Sequence, residues 1–274
     1  MKAKDLYPGV FSRHAEAYQQ RLEAVMARRE SRGRMRVVEA IDPQPGQRIL
    51  DLACGPGTLS RILASRVAPD GEVVGVDLAQ GMIELARACV RSNARFEVMD
   101  IEDLKFADAS FDAASCGHGL QFAPNLQQAL GEARRVLRPQ AVLGAAIPLA
   151  GAGDKIARLV DSVVDRWLPP APEVIDAAAT RATVTDGASL RAAAMAAGFG
   201  SAEVEVVEDE VTWESAEQFM STLMGWWDFA YRVEGAGGIS SEAFKREAVA
   251  VIRETYPGEI RSVGRNLVLI ARAS

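Results

Sequence analysis

Residues 49–58 restrict the fold more than any other stretch of the chain: Ile49-Leu-Asp-Leu-Ala-Cys-Gly-Pro-Gly-Thr58. A short apolar run carries an acid, Asp51, and leads into a Gly-x-Gly turn. The next apolar run closes on a second acid, Asp77. Short apolar runs bounded by turn residues read as buried strands. Glycines directly after such a strand permit positive φ and let a ligand touch main chain, with the N–H groups of the following helix close by. Carboxylates at these stations suit the polar ends of a nucleoside-bearing ligand. A Gly-x-Gly turn also occurs without any ligand, so its neighbours decide its meaning.

The alternation continues to residue 148. Strand-like runs at 48–53, 72–77, 95–100, 112–116 and 141–148 are separated by helix-like stretches at 59–67, 81–91 and 126–137. In the last of these, Leu126, Leu130, Ala133 and Leu137 recur at helical spacing, an apolar stripe to lay on a sheet. Alternating strands and helices imply parallel strands joined by right-handed crossovers, hence a doubly wound α/β sheet. Residues 10–40 read as helical. Beyond 150, helices are expected at 156–167, 188–197, 216–231 and 241–255, with strands at 203–211 and 266–271. Two further strands joining the sheet, with helices inserted as a cap, complete a seven-stranded, mostly parallel architecture. The expected organisation is 1–45 as an N-terminal helical lid, 46–150 as the ligand-binding core, and 151–274 as the last strands with the cap that forms the acceptor site.

Composition narrows the function. The formal net charge of −6 disfavours a broad phosphate-tracking surface, and nucleic acid is not expected as a partner. The local run of Arg28, Arg29, Arg32, Arg34 and Arg36 reads as a solvated helix face. Cys54, Cys89 and Cys116 fall in apolar-patterned segments and read as buried, reduced thiols, which suits a cytoplasmic protein. No secretory signal follows the charged start, the apolar window at 141–150 is too short to span a membrane, and no metal ligand set is read.

A dinucleotide fingerprint would place a third glycine where this chain has Ser60, which disfavours a dinucleotide. Asp77 is placed to accept hydrogen bonds from ribose hydroxyls. Asp100, in the same register after the third strand, could take an exocyclic amine while Ile101 covers a base face. As a plain loop acid it would cap a turn instead.

Four stretches together carry a resemblance. They are the 49–58 segment, Val74-Gly-Val-Asp-Leu-Ala-Gln-Gly-Met82, Asp100-Ile-Glu-Asp-Leu-Lys-Phe106 with Ser110-Phe-Asp112, and Glu132-Ala-Arg-Arg-Val-Leu-Arg-Pro139. Over about 46–148 the chain resembles the Rossmann-like core of class I S-adenosylmethionine-dependent methyltransferases, in the group of the ubiquinone/menaquinone C-methyltransferases. The resemblance implies S-adenosylmethionine as cofactor and S-adenosylhomocysteine as product. Asp51 with Ala53, Cys54, Gly55 and Gly57 would hold its methionine end, Asp77 the ribose, and Asp100 with Ile101 the adenine, and Leu78 and Met82 would also contact the cofactor. Cys116, Gly117 and His118, after the fourth strand, would border the methionine moiety and the methyl group. The 11–18 segment resembles the family's N-terminal helix that folds over the cofactor, with Tyr18 as partner of its carboxylate. Gln140-Ala141 departs from the paired glycines usual after Arg-Pro in such enzymes.

His118, just past the fourth strand, is the candidate general base or pocket residue, and His14 a weaker one. Gln121 and Phe122 follow His118 on one loop. Trp226, Trp227 and Tyr231 form either cap core or an aromatic wall for a flat acceptor, and Trp167 and Trp213 pose the same choice. The expected activity is methyl transfer to a small apolar or aromatic metabolite, at oxygen, by a monomer or homodimer. The alternatives are C- or N-methylation of a quinone-like or other secondary-metabolite acceptor, or cofactor binding without transfer.

Overall fold

The apolar runs form one seven-stranded sheet in a computed structural model that describes residues 1–89, 92–149 and 155–274. Strand β1 (Arg48–Leu52) lies inside it, parallel to β2 (Glu72–Asp77) on one side and to β4 (Phe111–Gly117) on the other. Strand β3 (Ala94–Val98) continues the first side and β5 (Leu137–Leu149) the second. Strand β7 (Ile260–Ala273) runs antiparallel to β5, and β6 (Phe199–Trp213) forms the edge, antiparallel to β7. The order is β3-β2-β1-β4-β5-β7-β6, so the chain reverses its direction of travel across the sheet between β1 and β4. A crevice opens at such a switch point, beyond the carboxyl ends of the two strands.

Alternation of side chains across the strands builds a core on both faces. On one face Leu50, Leu52, Val74 and Val76 pack under Leu130 and Ala133 of α6 (Leu126–Val136). On the other, Ile49 and Val73 meet Leu59, Leu63 and Val67 of α4 (Thr58–Val67) and Ile83 and Ala86 of α5 (Gln80–Ala88). Asn125 caps α6 by accepting the Gln128 N–H, as its residue type favours.

The N-terminal stretch differs from a single helix over 10–40. It is α1 (Ala3–Arg13), α2 (Ala15–Ala27) and α3 (Arg32–Ile41), broken at His14, whose φ of −110° and ψ of 19° are not helical. The 11–18 segment therefore straddles a joint.

After β5 come α7 (Lys155–Trp167), α8 (Ala178–Val184), α9 (Gly187–Ala196), α10 (Ala216–Leu223) and α11 (Trp227–Thr255). Short α8 has no counterpart in the sequence pattern. The helix anticipated over 216–231 splits at 224–226, and α11 runs on through the second predicted helix with an internal break at Gly237. Helices α7, α10 and α11 share an apolar cluster with Leu22 and Val25 of α2, Trp213 and Ile260, which makes a cap core tied to the N-terminal helices. Strands β6 and β7 are longer than expected because their outer halves pair polar residues such as Glu208 with Arg265, which hides the alternation. The end of the helix expected over 81–91 and the boundary at 150–151 fall partly outside the described residues.

Among the described residues no helix is long and apolar enough to cross a membrane. Cys54 and Cys116 are buried as expected, but Cys89, at the end of α5, is exposed.

Candidate functional site

The glycine turn sits at the switch point. Gly55 and Gly57 adopt φ of +55° and +75°, and Ala53 and His118, at the ends of β1 and β4, are also left-handed with φ of 50° and 70°. Side chains rarely adopt this conformation without cost, and such residues concentrate at functional sites. A Cβ on Gly57 would lie 2.9 Å from Phe96, so only glycine lets the loop lie flat on the sheet.

Asp77 clasps this loop. One oxygen accepts the Gly55 N–H at 2.9 Å and the other the Ala79 N–H at 2.8 Å. Burial pushes the carboxyl up, and these backbone bonds hold it down in part. A carboxylate has about four acceptor directions, so two remain for hydroxyls. Leu78 beside it is exposed, while Met82 is buried under Phe11 and Tyr18.

Asp51 lies deeper. Its two oxygens accept Ser60 Oγ at 2.5 Å and Ser115 Oγ at 2.7 Å, and burial pushes its pKa up to about 6. It braces the loop from below. Ser60, the residue in place of a third fingerprint glycine, is there as a donor to Asp51. The Cys116 side chain likewise turns into the core, its thiol pushed up to about 12 by burial, and the Cys54 thiol is buried and raised too.

Asp100 accepts the Glu102 N–H at 2.9 Å and pairs with Lys4 at 2.6 Å, and Lys4 also reaches Glu102 at 2.5 Å. This is the turn-capping arrangement, and it clips α1 to the rim. Ile101 is half-buried against the core. A second clip lies at Gly81, whose N–H donates to Ser12 Oγ at 3.1 Å; a Cβ there would stand 2.5 Å from the Ser12 carbonyl oxygen. The N-terminal helices thus close over the ends of β2 and β3. Tyr18 lies over the turn, its ring 3.7 Å from where a Gly55 Cβ would be.

Two residues missed by sequence reasoning complete the cleft. Arg34 belongs to the arginine run expected on a solvated face, but it is buried, donating to Tyr18 OH and to Ser31 Oγ, each at 3.2 Å. Its Nε lies 3.4 Å from where a Gly117 Cβ would be. The run therefore divides: Arg28, Arg32 and Arg36 pair outward with Glu30, Glu210 and Glu205. Because α3 is amphipathic, position 34 falls two residues from each of Arg32 and Arg36, on its buried face with Val37, Val38 and Ile41. That spacing was the available signal.

The second is Asn266, whose Oδ1 stands 2.7 Å from His118 Nε2, while its Nδ2 points to the Val207 carbonyl at 3.5 Å. With the amide so oriented, Nε2 carries the proton and Nδ1 is left as an acceptor. Burial, then the charge of Arg34 and, more weakly, Arg21, hold His118 well below the usual histidine range, so the ring stays neutral. Only a residue 148 positions away supplies this partner, out of reach of local pattern.

Gln121 donates to the His118 carbonyl at 3.1 Å, and its buried Oε1 has no partner among the described residues. Phe122 stands edge-on to Tyr7 at 4.9 Å and Phe11 at 5.2 Å, and Tyr7 meets Trp227 at 4.9 Å, with Tyr231 packed on the same cluster. Trp226, itself exposed, stacks on Arg21. Trp167 and Trp213 belong to the cap core, Trp167 donating to Glu247 at 2.7 Å. His14 is bound to Glu234 of α11 at 2.7 Å alongside Arg13, a link between lid and cap rather than a partner of His118.

Comparison with known proteins agrees with this frame. Residues 49–140 match the family described as the methyltransferase domain. A 2-phytyl-1,4-naphtoquinone methyltransferase of Synechococcus elongatus is 34% identical over 173 residues, 58% of this chain and 74% of that protein. A demethylmenaquinone methyltransferase of Symbiobacterium thermophilum is 33% identical over 135 residues, 47% of this chain, and the match spans only about half, 54%, of its own length. The YcgJ protein of Bacillus subtilis shares the fold, with a TM-score of 0.54 at 14% identity over 88% of this chain and 98% of that one.

Proposed function

The chain belongs to the class I S-adenosylmethionine-dependent methyltransferases of the quinone methyltransferase type, and on that premise we propose that it moves a methyl group onto a hydroxyl oxygen of a small aromatic acceptor. One observation carries this reading: the bare turn at Gly55–Gly57, clasped by Asp77 and roofed by Tyr18, with His118 held neutral at the next strand end.

The donor fits these residues. Glycines 55 and 117 leave main chain bare beneath Tyr18 and Arg34, Gly57 lets the turn lie close on Phe96, and Asp77 keeps acceptor capacity for ribose hydroxyls. Arg34, joined to Tyr18, would face the carboxylate of the methionine moiety. Asp100 and Ile101 would flank the adenine, and Met82 its ribose side. Bound there, S-adenosylmethionine supplies an activated sulfonium methyl, so alignment of the acceptor does much of the work. The lid, clipped at Lys4 and Gly81, would exclude water from the cleft. His118 would take the acceptor's hydroxyl proton at Nδ1, its tautomer fixed by Asn266. Phe122, Trp227 and Tyr231 would line the apolar side and Gln121 offer its unpartnered oxygen. We assign residues 1–45 to the lid and those beyond 150 to the sheet edge and acceptor cap.

A second reading, methylation of a quinol ring, is favoured by the names of the relatives. Incubation with methyl-labelled cofactor and a panel of quinols, phenols and amines separates them. Label on a phenolic oxygen supports the proposal, label on a quinol ring carbon supports the second reading, and no label anywhere despite cofactor binding leaves a binder without transfer. In the variant His118→Ala, turnover should fall about 100-fold with S-adenosylhomocysteine affinity nearly unchanged. Unchanged turnover would remove the base from the scheme.

A further inference from the structure

The cleft holds more positive charge than one donor carboxylate accounts for. Arg21 follows Tyr18 by one turn of α2, and its guanidinium carbon sits 4.5 Å from the centre of the Trp226 ring. Its Nε is buried without a partner, and among the described residues Arg21 makes no hydrogen bond or ion pair. Its neighbours Arg13, Arg28, Arg32 and Arg36 all have carboxylates. Arg34 has only two hydroxyls. Among the described residues, then, two cations without an ion-paired carboxylate lie between the lid and the end of β4, Arg34 feeling only the charge of the buried Asp51.

Resting on the methyltransferase reading above, we propose that Arg21, backed by Trp226, binds an anionic oxygen group of the acceptor, a carboxylate carried on a flat apolar ring.

Geometry divides the two arginines between two anions. Arg34 lies against Gly117 and beneath Tyr18, at the donor end. Arg21 lies on the cap side, under the loop joining α10 to α11. A Cβ at Gly225 would stand 3.3 Å from Arg21 Cδ and 3.5 Å from Tyr18 Cα, so that loop passes close over the arginine stem. The indole covers one face of the guanidinium, leaving its edge, with its forked donors, for a carboxylate. Burial, and more weakly the charge of Arg34, lower Arg21 to about 10, which leaves it a full cation at neutral pH and short of a counter-charge. Arg21 is half-buried with its Nε shut away from water, a costly arrangement that a bound anion would offset. The aromatic cluster of Phe122, Phe11, Tyr7 and Trp227 provides the apolar side against which the ring would lie.

Calorimetric titration of the S-adenosylhomocysteine-loaded protein, and of the protein alone, with 2-naphthoate and its neutral isostere 2-naphthamide tests this. Naphthoate should bind the loaded protein about tenfold or more tighter than naphthamide. In the folded variant Arg21→Gln that preference should vanish while S-adenosylhomocysteine affinity stays within about threefold, and Arg21→Lys should keep part of it. Equal affinities in the unmodified protein, no detectable naphthoate binding, or a preference that survives Arg21→Gln each overturn the proposal. So does a loss of S-adenosylhomocysteine affinity in Arg21→Gln, which would give Arg21 to the donor. Failure of the unmodified protein to bind S-adenosylhomocysteine sinks the parent reading instead, and the naphthoate comparison without it still decides for or against an anion site.

Discussion

Both carboxylate oxygens of Asp51 are taken by serine hydroxyls, yet burial still raises its pKa to about 6, above the value of about 4 expected in the unfolded chain. Between those two values the folded chain holds a proton the unfolded chain has released, so stability falls as pH rises through that window. A difference of that size between folded and unfolded chain corresponds to at most about 3 kcal/mol. The variant Asp51→Asn, which does not titrate, should therefore gain on the natural protein by up to about 3 kcal/mol between pH 4 and pH 7 in urea unfolding. A pH-independent difference would mean that the carboxylate is better solvated than its surroundings imply. Gln140 makes a second residue-scale case. It is exposed at φ +67°, in the position where such enzymes usually carry glycine. Left-handed backbone costs a residue with a Cβ about 1–2 kcal/mol, and glycine's extra unfolded entropy returns part of it. Gln140→Gly should stabilise the protein by about 0.5–1 kcal/mol, visible as a raised urea midpoint with unchanged slope.

Among the elements, the lid is held to the cap by an apolar seam, Leu6, Tyr7 and Val10 against Val174, Ala177 and Ala230, and to the sheet rim by particular contacts. Gly81 carries one of them, since any side chain there meets the Ser12 carbonyl oxygen. Gly81→Val should displace α1 from α5, weaken S-adenosylhomocysteine binding about tenfold or more, and expose the joint at His14 to proteolysis. Unchanged affinity and protection would show that α1 does not close the donor site. The element scale is also where reading the sequence succeeded and failed for physical reasons. Strands β1 and β2 and helix α6 were legible because their residues face a core on known periods, and the 126–137 stripe matches buried Leu126, Leu130 and Ala133. The joint at His14 was not legible, because residues on both sides favour helix and the break comes from docking onto α5 and α11. The outer halves of β6 and β7 were hidden by polar pairs such as Glu208 with Arg265. In the site, the glycines and Asp77 followed from backbone demands. Arg34, Arg21 and Asn266 did not, since their meaning depends on which distant surface each one faces.

Across the whole molecule, one sheet serves two purposes. Its parallel half, β3 through β5, brings the glycine turn, Asp77 and His118 to a single rim. Its antiparallel half, β7 and β6, carries Asn266 inward to His118 and roots the cap through Trp213 and Ile260. The N-terminal helices bridge the halves, with Tyr18 over the turn, Arg34 at the end of β4, and Leu22 and Val25 in the cap core. The proposed donor and acceptor sites are therefore mechanically joined, and a ligand at the rim should stabilise lid and cap together. At about 100 times its dissociation constant, S-adenosylhomocysteine should add about 2.7 kcal/mol to the unfolding free energy. The central claim is that this rim is built for that donor and not for a dinucleotide. Isothermal titration of the protein with S-adenosylhomocysteine and, separately, with NAD addresses it most directly. S-adenosylhomocysteine should bind saturably and one-to-one, more weakly in Asp77→Ala, and NAD should give no measurable heat. A clear preference for NAD, or S-adenosylhomocysteine binding indifferent to Asp77→Ala, would contradict it.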